Sequence, residues 1–273
     1  MTDSSYQPTE EQIAPLPAPR QIPGPGPFNG GLWRAANVIG FVLIEYLTGS
    51  RLVSIDAGGA EVLESGGPVI LAGNHNHRFD GTAILMGLPH SRRREFTVVS
   101  SSLMFRVWGL WPSRLMRIRG WFIMGLLAHA YGAVWVHGDE DRGTATIIRL
   151  SRLLERGESL MIFPSGRLAY GEDEREYQVG TVLIAQRAGV PIVPARVDGV
   201  LGVLRRFGKL GPKADMVVRY GSPIVVGPND DPAEVLVRLR AALAPPTEPM
   251  SWSTGSVWRT WRGVRISRRR RAG

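Results

Sequence analysis

The sequence predicts an α/β fold with a largely parallel central sheet covered by helices. Short runs of β-branched and apolar residues alternate along the chain with longer segments of helical periodicity. This alternation is typical of parallel sheets whose strands are joined by helical crossovers. With 273 residues and 44% hydrophobic composition, the chain is long enough to bury one full core. We therefore predict a single main domain, residues 30–250, flanked by two tails.

The N-terminal tail, residues 1–29, is rich in proline and lacks an apolar core, so it is predicted to be disordered. It has no basic segment followed by an apolar one and therefore does not resemble a secretory signal. Residues 32–47 follow as an apolar helix that is too short to span a bilayer. We interpret this helix as an N-terminal membrane-associated helical element, at the membrane interface or half-buried in the protein.

Six strands are predicted where short β-branched or apolar runs are bounded by turn residues. These runs are residues 68–72, 96–100, 133–136, 160–163, 192–197 and 216–220. Helices are predicted at residues 144–156 and 180–188, each of which ends at a glycine. The last helix has the clearest capping signals, because Asp231 suits the N-cap position before Pro232 and Pro245 ends the helix.

The net charge of +9 is concentrated in a C-terminal Trp/Arg-rich basic tail, residues 251–273, whose seven arginines supply most of the excess. Alternating tryptophan and arginine suits a membrane–water interface with anionic headgroups. The same composition could instead bind RNA or form a solvated disordered tail. A second stretch, residues 96–138, contains no acidic residue and interleaves arginine with tryptophan. Within it, the uncharged run 121–136 is either an interfacial helix or part of the core.

The best candidates for chemistry follow the first of the six predicted strands, in a turn that carries His75 and Asp80. Strand ends are where α/β proteins place their active sites. A histidine can accept a proton from a hydroxyl near neutral pH, and a carboxylate can orient the ring and stabilise its protonated form. His75 is therefore a candidate general base that Asp80 supports. Metal binding by His75 and His77 is not expected, because the chain has no cysteine and offers no third ligand nearby.

A second loop, which follows the predicted strand 160–163, is suited to binding a ligand. Gly166 allows close approach of the backbone, and Arg167 offers a fork of donors for a phosphate or carboxylate. Ser165 occupies the same loop, but the sequence lacks the first glycine of the Gly-x-Ser-x-Gly nucleophile elbow, so a serine nucleophile is not favoured. We predict that Ser165, Gly166 and Arg167 bind substrate.

Three motifs in a fixed order connect this chain with a known family. They are Asn74-His75 with Asp80, residues 163–167 and residues 190–194. The two prolines of the third motif are unusual for a central strand and suggest a constrained wall beside the site. Over residues 68–224 the sequence resembles the glycerophospholipid acyltransferase family, which includes the lysophosphatidic acid acyltransferases. The resemblance implies an α/β domain with an N-terminal helical membrane element.

The resemblance also implies a reaction and its partners. In this family the histidine that matches His75 deprotonates an acceptor hydroxyl, and the aspartate that matches Asp80 supports it. The deprotonated oxygen attacks the thioester of acyl-CoA or an acyl-carrier protein, and neither a metal nor another cofactor is implied. The expected partners are a lipid acceptor and an anionic membrane surface, with no nucleic acid. Arginine-rich flanks without an export signal predict the cytoplasmic face of the cell membrane.

Two departures from the family pattern concern the acceptor. The arginine expected after the second motif is absent near Gly138, and Arg142 is a displaced candidate for acceptor binding. Ser165 stands where the family has glutamate, and Gly166 is followed directly by Arg167. We therefore expect a lysophospholipid or a related lipid hydroxyl as acceptor. The alternative is a nonenzymatic lipid- or nucleic-acid-binding protein on an acyltransferase-like scaffold.

Overall fold

The computed structural model describes residues 52–77, 80–88, 96–101, 134–136, 143–166, 176–199, 215–245 and 256–260. Its strands are Leu52–Ala57 (β1), Ile70–Gly73 (β2), Phe96–Ser101 (β3), Val134–Val136 (β4), Ser159–Ile162 (β5), Ile192–Asp198 (β6), Met216–Gly221 (β7) and Ser256–Thr260 (β8). Its helices are Ala60–Glu64 (α1), Asp80–Gly87 (α2), Thr144–Glu155 (α3), Gly180–Ala188 (α4) and Pro232–Ala242 (α5). Strands and helices alternate as the sequence predicts, so the mixed α/β class is confirmed.

The described strands form one sheet with the order β4-β3-β5-β2-β6-β7-β1-β8. From β4 to β6 all neighbours are parallel, whereas β7 runs antiparallel to β6 and β8 antiparallel to β1. The parallel pairing brings the carboxyl ends of β2, β5 and β6 to one edge of the sheet. At that edge, side chains that are distant in the sequence can meet, which is where open α/β sheets bind ligands.

Two apolar clusters cover the two faces of the sheet. Successive side chains of a strand point to opposite faces, and β2 shows this clearly, because Leu71 belongs to one cluster while Ile70 and Ala72 belong to the other. Helices α1 and α2 pack on the first face, and helices α3, α4 and α5 pack on the second. The result is a three-layer arrangement in which β2 is buried along its whole length.

The three predicted helices that fall within the described residues are confirmed, and α3 ends one residue before the predicted position. Helix α4 stops at Gly189, which adopts the left-handed conformation (φ 64°) that glycine tolerates best. The side chain of Asp231 caps α5 by accepting a hydrogen bond from the N–H of Ala233 (3.0 Å), and Pro232 occupies the first helical position. These caps explain why local sequence signals were sufficient to place both helices.

The six predicted strands correspond to β2–β7, with ends that differ by up to two residues. The structure adds β1, β8, α1 and α2, which the sequence analysis did not assign. Strand β8 lies inside the segment predicted as the basic tail and pairs with β1, so part of this tail is a strand of the sheet. The predicted helix 32–47 and residues 121–133 of the uncharged run lie outside the described residues. Among the described helices, none is long and apolar enough to cross a membrane.

Strand β6 carries Pro194 although it is a central strand. Pro194 pairs with Ala72 of the parallel strand β2. In this register, the backbone nitrogens of Ile192 and Pro194 point away from β2, toward the β7 side of the strand. On that side the pairing is irregular, because Ile192 bridges Ile224 whereas Ala195 is already opposite Tyr220. The missing N–H of the proline therefore falls where the ladder is interrupted, which accounts for a proline in this position.

Candidate active site

The site is built on the turn between β2 and α2, and the buried Asn74 anchors this turn to β6. The side-chain amide of Asn74 donates to the carbonyl oxygen of Val197 (2.9 Å), and its Oδ1 accepts from the N–H of Val197 (2.7 Å). The two bonds continue the β2–β6 pairing beyond the last residue of β2. They fix the point at which the chain leaves the sheet, immediately before His75.

Asp80 holds the turn from its other end. Its side chain is 1% exposed. Oδ2 accepts two backbone hydrogen bonds, from the N–H of Asn76 (2.5 Å) and the N–H of His77 (2.6 Å). A carboxylate that accepts backbone N–H groups forms strong, charge-assisted bonds. Asp80 therefore determines the conformation of the loop that carries His75.

His75 lies beside this carboxylate without a hydrogen bond to it. Nδ1 of His75 is 3.6 Å from Oδ2 of Asp80, and the side chain of the histidine is 18% exposed. Nδ1 is buried and has no hydrogen-bond partner among the described residues. The contact is therefore electrostatic, and it leaves the carboxylate placed to stabilise a positive charge on the imidazole.

The ring of Phe163 lies against the ring of His75. Their centroids are 3.9 Å apart and their planes differ by 17°, so the rings are stacked. Phe163 follows β5, which pairs directly with β2. Gly73 makes room for it, since a Cβ at that position would be 2.8 Å from Cε1 of Phe163. The stack therefore depends on a position without a side chain.

The loop after β5 is a tight turn that begins at Phe163. The N–H of Gly166 donates to the carbonyl oxygen of Phe163 (2.9 Å), and the N–H of Gln178 donates to that of Pro164 (2.8 Å). Ser165 is buried at the corner of this turn. Gly166 has a φ of 62°, which favours glycine, and the side chain of Gln178 lies over it.

The structure brings part of the predicted site together. His75 and Asp80 face each other, and the turn that contains Ser165 and Gly166 begins at the phenylalanine that contacts His75. Arg142 and Arg167 lie outside the described residues. Among the residues that the structure does describe, no cluster of three or more His, Asp or Glu side chains could hold a metal ion.

Sequence analysis missed the roles of Asn74, Phe163 and Gly73. Asn74 and Phe163 belong to the sequence motifs, yet no nearby residue indicates that Asn74 bonds to β6 or that Phe163 stacks on a histidine. A usable signal was their position, since each is the first residue after a short, fully buried strand.

Comparisons with known proteins find similar chains among acyltransferases. A family model described as acyltransferase matches residues 54–198. A curated relative, the lyso-ornithine lipid O-acyltransferase of Pseudomonas aeruginosa, is 31% identical over 87 residues, which cover 30% of this chain and 34% of the relative. The chain thus matches about a third of the length of this relative.

A solved structure, the 1-acyl-sn-glycerophosphate (LPA) acyltransferase of Thermotoga maritima, is also similar. It superposes with a TM-score of 0.47 and 14% sequence identity, covering 77% of this chain and 77% of that chain.

Proposed function

Because this chain belongs to the acyltransferase family, and is therefore an enzyme that transfers acyl groups, we propose that it acylates a hydroxyl of a lysophospholipid or related lipid. The donor is the thioester of acyl-CoA or an acyl-carrier protein. His75 acts as the general base, and Asp80 supports it. The observation that carries this proposal is the position of His75, at the carboxyl end of β2, with Nδ1 3.6 Å from a buried carboxylate.

The proposed reaction needs a single proton carrier. Because Nδ1 of His75 faces Asp80, Nε2 remains for the substrate, where it accepts the proton of the acceptor hydroxyl. The oxygen attacks the thioester carbonyl, and collapse of the tetrahedral intermediate breaks the carbon–sulfur bond. The proton on His75 then passes to the leaving thiolate. The imidazolium that exists between these steps is stabilised by the negative charge of Asp80.

The acceptor is proposed from the loop after β5 and from the curated relative. Ser165 and Gly166 belong to the turn that begins at Phe163, the residue that contacts His75, and we propose that they bind the acceptor together with Arg167 and Arg142. The relative is named as an enzyme that O-acylates a lyso-ornithine lipid, which favours a hydroxyl acceptor on a lyso-lipid. The arginine that the family pattern places near Gly138 is absent, and Ser165 stands where the family has glutamate. Because both departures concern the acceptor side of the site, we propose a related lyso-lipid in place of lysophosphatidate.

The basic C-terminal tail supports a location at a membrane surface. The arginines that follow β8 are the main excess of positive charge in the chain, and such clusters bind anionic lipid headgroups. We propose that the enzyme works at the cytoplasmic face of the cell membrane, where its lipid acceptor is present. Binding to vesicles with and without anionic lipid, at two salt concentrations, tests this proposal.

The test of the reaction uses full-length protein with acyl-CoA or acyl-carrier protein donors and a total lipid extract. Mass spectrometry would identify a new acylated lipid, and release of the donor thiol would give its rate. We expect His75→Ala to lower turnover by about 1,000-fold, because it removes the proton acceptor.

Each result bears on the assignment. A His75-dependent product would support the reaction and identify the acceptor. A His75→Ala protein that keeps its transfer rate would refute the role of His75 as general base. Absence of any product with either donor would instead refute the proposed donors or the proposed class of acceptor.

A further inference from the structure

We propose that Phe163 is a positioning residue for the general base: its ring is the platform that fixes the plane of the His75 imidazole. This inference rests on the proposed function, because it concerns the positioning of His75, the proposed general base. Its starting point is the stacked contact, with ring centroids 3.9 Å apart and planes 17° from parallel.

Asp80 alone does not fix the orientation of the ring. A histidine base is usually held by a hydrogen bond from Nδ1–H to a carboxylate or carbonyl oxygen. Here Nδ1 of His75 is 3.6 Å from Oδ2 of Asp80 and has no hydrogen-bond partner among the described residues. That same Oδ2 already accepts two backbone N–H groups. The carboxylate therefore supplies charge, while the face contact with Phe163 restrains rotation of the ring.

The surroundings of Phe163 restrain the platform in turn. A Cβ at Gly73 would lie 2.8 Å from Cε1 of Phe163 and 2.9 Å from Cδ1 of Ile84, so the phenylalanine fills the space above the glycine. The turn after Phe163 is closed by the hydrogen bond from Gly166 N–H, and α2 lies on the same face of the sheet. Packing against these neighbours restricts the orientation of the Phe163 ring, and the stacked contact restricts that of the His75 ring in turn.

If Asp80 supplies charge and Phe163 fixes the orientation of the His75 ring, loss of Phe163 has a kinetic consequence. Proton transfer requires Nε2 to point at the acceptor hydroxyl, and a small misplacement of a catalytic group can cost two orders of magnitude in rate. Loss of the platform should therefore lower kcat and leave KM for donor and acceptor nearly unchanged, since Phe163 is not proposed to bind either substrate.

The test compares Phe163→Leu with Val69→Ala. Leucine keeps an apolar side chain but removes the stacking ring. Val69 is 1% exposed, belongs to the same apolar cluster and lies before β2, at the edge of the sheet opposite His75. Both substitutions remove a few buried carbons, so they should lower thermal stability comparably. We expect Phe163→Leu to reduce kcat at least about tenfold at constant KM, and Val69→Ala to leave both constants unchanged.

A spectroscopic measurement reports on the contact itself. In protein labelled at histidine, the ring protons of His75 should resonate upfield because they lie over the face of Phe163, and His75→Ala assigns the signal. Phe163→Leu should remove that upfield shift, whereas Val69→Ala should keep it.

The platform and the base fail in different ways. An unchanged kcat in Phe163→Leu, with His75→Ala inactive, would overturn the platform and leave the base intact. Full activity of His75→Ala would overturn the proposed reaction instead. An equal loss of kcat in Phe163→Leu and Val69→Ala would also overturn the proposal, because it would trace the effect to general loosening of the core.

Discussion

Two ion pairs lie near the carboxyl ends of the adjacent strands β2 and β6, and they differ in how completely their donors are used. Arg196 of β6 donates from Nε and Nη2 to the two oxygens of Asp198 (2.9 and 2.7 Å) and from Nη1 to the carbonyl oxygen of Leu243 (2.6 Å). His75, in contrast, faces Asp80 at 3.6 Å with Nδ1 unbonded among the described residues.

The difference in hydrogen bonding between the two pairs indicates that they have different roles. A buried guanidinium with a bidentate carboxylate and a carbonyl acceptor is fixed in place and has no proton to exchange, because arginine stays charged in proteins. The imidazole of His75, in contrast, lies beside a carboxylate that is bonded elsewhere, and its Nδ1 has no hydrogen-bond partner among the described residues. Each pair combines a basic side chain with an aspartate. Arg196 and Asp198 thus form a structural anchor, whereas His75 and Asp80 form a candidate catalytic pair.

Removing the charge from the candidate catalytic pair should have the largest effect. Asp80→Asn keeps an oxygen that can accept the N–H groups of Asn76 and His77, but it no longer stabilises an imidazolium. We expect kcat to fall by about 100-fold, while the free energy of unfolding falls by only about 1 kcal/mol because two charge-assisted hydrogen bonds become neutral ones. Thioester-release kinetics and urea unfolding measure the two quantities. An unchanged kcat in a normally folded Asp80→Asn protein would remove Asp80 from the mechanism.

Breaking the anchor should act on stability instead. Arg196→Leu leaves the carboxylate of Asp198 and the carbonyl of Leu243 without their donor, so we expect a loss of about 2 kcal/mol in the free energy of unfolding, or roughly 30-fold in the unfolding constant. The exposed pair Arg238–Asp230 (3.5 Å) is the control, and Arg238→Leu should cost less than about 0.5 kcal/mol. Activity per folded molecule should not change, and a selective loss of kcat in Arg196→Leu would contradict the contrast between the two pairs.

Asn74 connects the two strands, and its replacement should lower kcat less than Asp80→Asn does and stability less than Arg196→Leu does. Asn74→Ala removes both hydrogen bonds to Val197, so we expect a loss of about 1 kcal/mol in unfolding free energy and a fall of about fivefold in kcat. Ser159→Ala is the matched control, because Oγ of Ser159 accepts from the N–H of Val69 (3.2 Å) at the opposite end of β2. Equal kinetics in the two variants would show that the Asn74 anchor does not position the base.

Local signals were sufficient for much of the fold and for half of the site. Helix α5 follows from an N-cap aspartate and a proline, and α4 from the glycine that ends it. His75 and Asp80 are five residues apart on one turn, so their contact depends on a short stretch of chain. Such features can be predicted because the interacting groups are close in the sequence.

The remainder depends on pairings between distant segments. Phe163 reaches His75 because β5 happens to be the neighbour of β2, and Asn74 bonds to Val197 because β6 is the neighbour on the other side. Strand β1 was missed because Ser54 and Asp56 interrupt its apolar pattern, yet Ser54 is buried and donates to the carbonyl oxygen of Gly87 (3.0 Å). Strand order is set by long-range packing, which no local pattern encodes.

The pairing of β8 with β1 bears on how the basic tail can be studied. A protein shortened before Ser256 would lose its arginines and at the same time expose the backbone N–H and C=O groups of β1. An uncovered strand edge promotes aggregation, and aggregated protein would sediment with or without vesicles. Substituting the arginines beyond Thr260, at positions 262, 265 and 268–271, removes the charge and keeps the edge covered. With that design, a change in lipid binding can be assigned to charge alone.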